Sequence, residues 1–280
     1  MSNQLAKLSF SQSIQTKGVQ SMIGSVLGDP KRAARFTASI TSAVTTTPAL
    51  KECDFNSVLS ASLLGESLEL SPSPQLGQFY MVPFDDKKEG TKKAQFILGY
   101  KGYIQLAIRS GQYKKLNVLA IKKGELIRFD PLNEEIEVSL IEDDDKREMA
   151  ETAGYYAMFE YSNGFKKAMY WTRAKMERHA IKYSKGYAAK KGYTFWEKDF
   201  DGMAYKTMLR QLISKWGILS VEMRQAVESD EQMIDAEGNP VPETKEVYDA
   251  DHEPDQPGTV SKMETVATPE ASAQQSLDSL

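Results

Sequence analysis

Between Phe165 and Lys215 the chain sets 13 lysines and arginines against 4 acidic residues, a local net charge of +9. Lys206 and Arg210 stand four apart in the run "DGMAYKTMLRQLISKW", and Arg173, Lys175, Arg178 and Lys182 repeat a basic spacing one segment earlier. Residues four apart share a helical face. Cations so placed can neutralise neighbouring backbone phosphates without reading bases. Tyr183, Tyr187, Tyr193 and Trp196 interleave with them, a combination that suits single strands, because an aromatic ring can stack on any base. A solvated helix face explains one such pair equally well; its repetition favours a polyanion partner.

The stretch "LGYKGYIQLAIRSGQYKK", Leu98 to Lys115, offers a second basic and glycine-rich segment. It lacks the G-x-x-x-x-G-K-[ST] pattern of a nucleotide phosphate loop, and its glycine spacing is wrong for a dinucleotide fingerprint. The spacing predicts a strand over 94–98, a turn at Gly99–Gly102, a short helix to Ser110 and a helix stop at Gly111. Ile104, Leu106, Ala107 and Ile108 would face a core, with Lys101 and Arg109 at the two helix ends and Lys114 and Lys115 opening the next strand. Glycines here allow a close backbone approach, either to DNA or to the chain itself.

Other chemistry is poorly served. The single cysteine, Cys53, and two histidines, His179 and His252, exclude an intrachain disulfide and make a zinc cluster improbable. The "DFDG" run from Asp199 lacks the third acidic position and closing glutamate of a calcium loop. No nucleophile–histidine–carboxylate order has local support, so no catalytic residue, metal or cofactor is assigned. His179, on a basic helix, is expected at the surface. The Asp143–Asp145 run reads as solvated.

The whole-chain charge of -4 hides a division: residues 228–280 carry 14 acidic and 2 basic residues, while residues 1–227 carry 25 acidic and 33 basic. The basic body suits a polyanion; the Pro-, Glu- and Ser-rich tail buries too little apolar surface to fold and is expected to be disordered from about residue 230. No run of 18 apolar residues and no signal-peptide pattern occurs, so a cytoplasmic protein away from membranes is expected.

The elements that must hold these residues follow from periodicity. Asp29-Pro30 reads as an N-cap and first helical residue, opening a helix with Phe36, Ile40 and Val44 inward. Val58, Leu59, Leu63 and Leu64 mark another. From "GQFYMVPF" through "FKKAMYWT" the period changes to strands, with Ser162-Asn163-Gly164 as a hairpin turn. "EDDDKREMAE" and "KGYAAKKGYTF" read as loops. Helices return as "RAKMERHAIKYS" capped by Thr172, then one long helix over 196–216 with a Phe200, Ala204, Met208, Leu212 ridge inward and Lys206 and Arg210 opposite. Lys215 falls near the ridge and must snorkel or mark the helix end. "ILSVEMRQAVES" closes the series. The order predicts an α+β fold, a central mostly antiparallel sheet with flanking helices. Three parts are expected: an N-terminal helical, oligomerising segment over 1–28, a core over 29–228, and the acidic tail over 229–280.

The blocks "GQFYMVPF", "FILGYKGYIQLAIRSGQY", "YWTR", and "DGMAYKTMLRQLISKW" with "MRQAV" occur in an order that resembles the RecT family of phage and prophage recombinases, from about Pro30 to Glu228. The resemblance implies an ATP-independent single-strand annealing protein of a bacterial host cytoplasm, acting in homologous recombination. It implies a homo-oligomeric ring or helical filament on single-stranded DNA and the annealed duplex, a partner exonuclease, and contact with the host single-strand-binding protein. It places DNA-facing positions in the "GYKGY" segment and "KTMLR" helix. With the charge pattern, the candidates are Lys101, Tyr103, Gln105 and Arg109; Lys114 and Lys115; Arg173, Lys175, Arg178 and Lys182; and Lys198, Lys206, Thr207, Arg210 and Lys215. A metal-dependent DNA nuclease and a non-annealing single-strand-binding protein remain the alternatives.

Overall fold

The computed structural model describes residues 8–86, 90–192 and 194–230; the expected disordered tail, His252 and the stacking candidate Tyr193 lie outside them. The chain opens on helices α1 (Phe10–Ile14) and α2 (Lys17–Leu27), the second stopped by Gly28 in the left-handed region. Asp29 then caps α3 (Pro30–Thr46), its carboxylate accepting from the amides of Lys31 and Arg32. Phe36, Ile40 and Val44 are buried along α3, and Ile14 and Ile23 sink into the same core. Burial of each such side chain contributes about 1.5–3 kcal/mol. A 3-10 turn (Pro48–Glu52) leads to α4 (Phe55–Ser67), against which the hairpin β1 (Phe79–Asp86) and β2 (Thr91–Leu98) packs.

Helix α5 (Tyr100–Ser110) follows β2 with only Gly99 between them, and Gly111 ends it at φ +66°. Strands β3 (Tyr113–Lys122), β6 (Thr152–Tyr161) and β7 (Lys166–Thr172) form a three-stranded sheet in that order. Between β3 and β6 come the small hairpin β4 (Leu126–Asp130) and β5 (Glu135–Val138), and α6 (Asp144–Met149). After β7 the described chain is helical: α7 (Arg173–Tyr183), α8 (Lys185–Ala188), α9 (Phe195–Lys198), α10 (Phe200–Trp216) and α11 (Val221–Ser229).

The fold is α+β with antiparallel sheets flanked by helices. Two corrections concern its plan. The strands make three separate antiparallel sheets among the described residues, not one central sheet: β2 passes directly into α5, and beyond β1 its backbone pairs only with the short bridge at Cys53 among the described residues. The long helix expected over 196–216 is broken at Asp199, whose carboxylate turns back to accept from Gly202 N at 2.9 Å and so starts α10 afresh. Two segments read as loops contain the short helices α6 and α8.

Helix α10 is the wall between two apolar clusters. Leu209 and Ile213 join the core built by the N-terminal helices, the hairpin and α5; Ala204, Met208 and Leu212 join the core between the three-stranded sheet and α7. A helix packed on both sides has little face left for solvent, and its charged side chains must find partners inside the protein.

Candidate nucleic-acid interface

The glycines of the Leu98–Lys115 stretch serve the chain's own packing. A Cβ on Gly99 or Gly102 would collide with the backbone carbonyls of Gly77 and Gln78, so the start of α5 lies directly on the segment leading into β1. On α5, Lys101 and Gln105 are exposed, whereas Tyr103 is fully buried. Ile108, expected in the core, is 62% exposed. Arg109 donates to Glu69 at 3.0 Å and to the Leu68 carbonyl at 2.5 Å, tying α5 to the end of α4. Lys114 and Lys115 project from β3 into water, each near Glu160 of β6, at 2.6 and 3.6 Å.

The reading of Lys206 and Arg210 as an outward phosphate-spaced pair is corrected. Lys206 is 4% exposed, and its ammonium lies 3.1 Å from Asp230 Oδ1; Arg210 lies 3.5 Å from Asp230 Oδ2. The cause is the position of α10 between two cores, which leaves the face opposite the ridge covered by α5 and by the turn after α11. Thr207 is buried as well, its hydroxyl donating to the Met203 carbonyl at 2.9 Å. A buried ammonium is tolerable only with a close counter-charge. Asp230 provides it, and also accepts from Leu98 N at 2.8 Å and from the Tyr103 hydroxyl at 3.1 Å. Composition groups Asp230 with the tail, yet its side chain has no solvent exposure. The signal available in the sequence is its place immediately after an apolar helical run.

Helix α7 keeps an open basic face. Lys175, Arg178 and Lys182 are exposed, as is Lys215 in the last turn of α10. Lys175 lies 4.2 Å over the Trp171 ring; burial first, then the nearby charges of Arg178 and Lys215, hold its pKa below the usual lysine value. Arg178 and Lys215 thus lie close enough to Lys175 to act on its charge. Arg173, at the head of α7, is committed inward: it donates to the Tyr155 hydroxyl at 2.8 Å, and its guanidinium lies 3.4 Å over Phe200.

His179 is not a surface residue. It stands between Trp171 and Tyr183, with ring centroids at 5.5 and 4.5 Å, and burial followed by repulsion from Arg210, Lys182 and Lys175 drives its pKa down to about 4. Of the stacking candidates, Trp196 is buried, and Tyr187 donates its hydroxyl to Glu177 at 2.6 Å.

An apolar cleft of about 520 Å³ lies between the β1–β2 hairpin and α9–α10, and reaches Ser184 at the C-terminal cap of α7. Tyr80 and Ile97 form its hairpin side, Tyr100 stands at the head of α5, and Phe195 and Met203 face them, with exposed Lys198 and buried Lys206 among the lining residues. Tyr80 and Phe195 approach at 5.5 Å between centroids. Periodicity does not reveal this group, because its members come from five elements in two stretches of the chain about a hundred residues apart.

The carboxylates that hinted at metal or acid chemistry have structural partners. Asp199 caps α10, Asp201 accepts from Tyr155 at 2.5 Å, and Asp143 caps α6. Among the described residues no group of three or more His, Cys, Asp or Glu side chains could hold a metal ion, and no described helix is long and apolar enough to cross a membrane.

Residues 34–246 match the profile of the RecT family. The chain is 32% identical over 224 residues to Protein RecT of Escherichia coli (strain K12), covering 78% of this chain and 79% of that protein. It is 47% identical over 207 residues to the uncharacterized protein YqaK of Bacillus subtilis (strain 168), covering 74% of this chain and 66% of that one.

Proposed function

The chain belongs to the RecT family, and from that premise we propose that it is an ATP-independent single-strand annealing protein of homologous recombination. The observation that carries the reading is an apolar cleft walled by Tyr80, Tyr100 and Phe195 with exposed Lys198 among its lining residues, in a protein that also keeps an open basic face on α7. Two complementary strands repel through their phosphates, and a folded-up single strand hides its bases. Exposed cations lower the first barrier by releasing counterions from the backbone. Aromatic walls hold bases unstacked from one another and so lower the second. Sequence is then read by the DNA itself, and the protein needs no contacts to base edges.

Lys175, Arg178, Lys182, Lys198 and Lys215 are assigned to backbone phosphates, with Lys101, Gln105, Lys114 and Lys115 as outer contacts. Arg109, Arg173, Tyr103 and Thr207 shape the surface from beneath. Self-association is placed at the N-terminal helices, where Ile14 and Ile23 anchor to the core while Met22 and Val26 face outward. A repeating contact of this kind gives a ring or a filament according to whether its rotation closes. By its resemblance to the family, the protein would work with an exonuclease that exposes single strands and with a host single-strand-binding protein.

The test mixes complementary oligonucleotides with the purified protein without ATP, once without and once with magnesium. Faster pairing is the expected result. Shortened strands in the presence of magnesium would make the protein a nuclease, and binding that slows pairing would make it a protective coat.

A further inference from the structure

Four donors of different kinds converge on Asp230: the Lys206 ammonium, the Arg210 guanidinium, the Tyr103 hydroxyl and the backbone N–H of Leu98. Lysine, arginine, a hydroxyl and a main-chain amide are also the groups that proteins use to hold a phosphate oxygen. The seat is adjacent to the cleft, because Lys206 both pairs with Asp230 and lines the cleft. The carboxylate filling it is carried at the end of α11, a short element.

Helix α11 has nine residues. Met223 and Ala226 are its fully buried apolar side chains, while Val221 at 81%, Glu222, Arg224, Gln225 and Glu228 face solvent. So small an apolar anchor places the helix among the elements that open at modest cost. The segment beginning at Glu228 carries 14 acidic residues against 2 basic, so an opened α11 would not compete for the strand by attraction to it.

We propose that Asp230 is a built-in phosphate surrogate: α11 holds it on an anion seat formed by Lys206, Arg210, Tyr103 and Leu98 N, and a backbone phosphate of single-stranded DNA takes its place when the strand enters the cleft. This deepens the reading of the chain as a single-strand binder and rests on it. The exchange swaps one anion for another on the same donors, so the buried cations keep a counter-charge in both states. The latch would set a threshold: a strand must displace an intramolecular carboxylate before it is fully held.

Two measurements on the full-length protein test this. Hydrogen–deuterium exchange of residues 221–230 is followed with and without a thymidine oligonucleotide; the latch predicts faster exchange in α11 on binding, while Met208 to Ile213 of α10 stay protected. Binding of the same oligonucleotide is then compared in wild type and Asp230→Asn at a temperature where both are folded. The amide keeps one acceptor oxygen, for Leu98 N, and its NH2 can donate to the Tyr103 hydroxyl, while the competing charge is gone, so binding should tighten by about tenfold. Unchanged or greater protection of α11 in the complex overturns the latch, whatever the stability of the variant. Equal or weaker binding by a folded Asp230→Asn protein overturns it too, and identifies Asp230 as a core counter-ion only. A wild-type protein with no affinity for the oligonucleotide overturns the reading beneath it as well.

Discussion

Lys175, Arg178 and Lys182 are exposed on one side of α7, so each can be removed without opening a core. Alanine at any of the three should leave thermal stability unchanged and weaken single-strand binding alike for all sequences. If each neutralises one phosphate, each loss flattens the slope of log affinity against log salt by about 0.7. A slope that does not move in the triple variant would take α7 off the DNA path. His179 yields a prediction of a different kind. Its pKa of about 4 in the folded protein lies below the ordinary value near 6.5 of an unfolded chain. Between about pH 6.5 and 4 the unfolded state therefore binds the extra proton, and stability falls as pH falls through that window. His179→Asn should flatten this part of the stability profile relative to wild type, as measured by thermal melts across it. Cys53 shows the same physics with an acid: burial pushes its thiol up to about 11, so it should react slowly with thiol reagents at neutral pH until the protein unfolds.

The junction of β2 and α5 shows how one element positions another. Gly99 leaves strand β2, Gly102 lies one turn into α5, and both rest against the carbonyls of residues 77 and 78. Neither requires a positive φ, so the restriction is one of space. Alanine at either site must push α5 away from the strand entry, an overpacking cost of about 1–3 kcal/mol. Since α5 also carries Tyr103 to Asp230, the displaced helix should loosen the buried charge cluster. A Gly102→Ala protein is expected to melt several degrees lower; an undiminished melting temperature would show that the backbone can yield there. On β6, Glu160 receives Lys114 and Lys115 from β3. These are weak pairs with well-exposed lysines, so the lysines remain available to exchange a carboxylate for a phosphate.

Across the molecule, the two apolar clusters meet at α10, and the charge cluster is sealed by Asp230. A chain ending at Asp230 should fold with the cooperativity of the full protein, whereas one ending at Glu228 deprives Lys206 and Arg210 of their buried carboxylate. Removing one partner of a buried pair costs about 3–5 kcal/mol, which at this size shifts Tm by roughly 6–20 °C. Differential scanning calorimetry of the two truncations measures the difference, and equal Tm values would mean that Asp230 contributes nothing to the core. Assembly belongs to the same scale. One copy offers a short basic face, and a few base pairs are a weak test of complementarity, so neighbouring copies should extend the path. Annealing rate is expected to rise more steeply than linearly with protein concentration, with larger particles in light scattering once both strands are present. Complete annealing by a species that stays monomeric would break that link.

Helix boundaries around α3, α4 and α7, the β6–β7 hairpin and the stop at Gly111 are legible in the sequence, since caps, turns and apolar period act over a few neighbouring residues. Family membership is legible too, because several blocks recur in order along most of the chain. The basic character of the 165–215 region is likewise a matter of counting charges. Which of those charges face water is not: Lys206 lies inward and Lys175 outward, although both sit on helices rich in cations. Exposure depends on what covers a helix, and α10 is covered by α5 and by residue 230, which are distant in sequence. The aromatic cleft and the seat of Asp230 are hidden for the same reason. Each is assembled from side chains whose proximity exists only after the hairpin, α5, α10 and α11 have packed, and no local pattern carries that information.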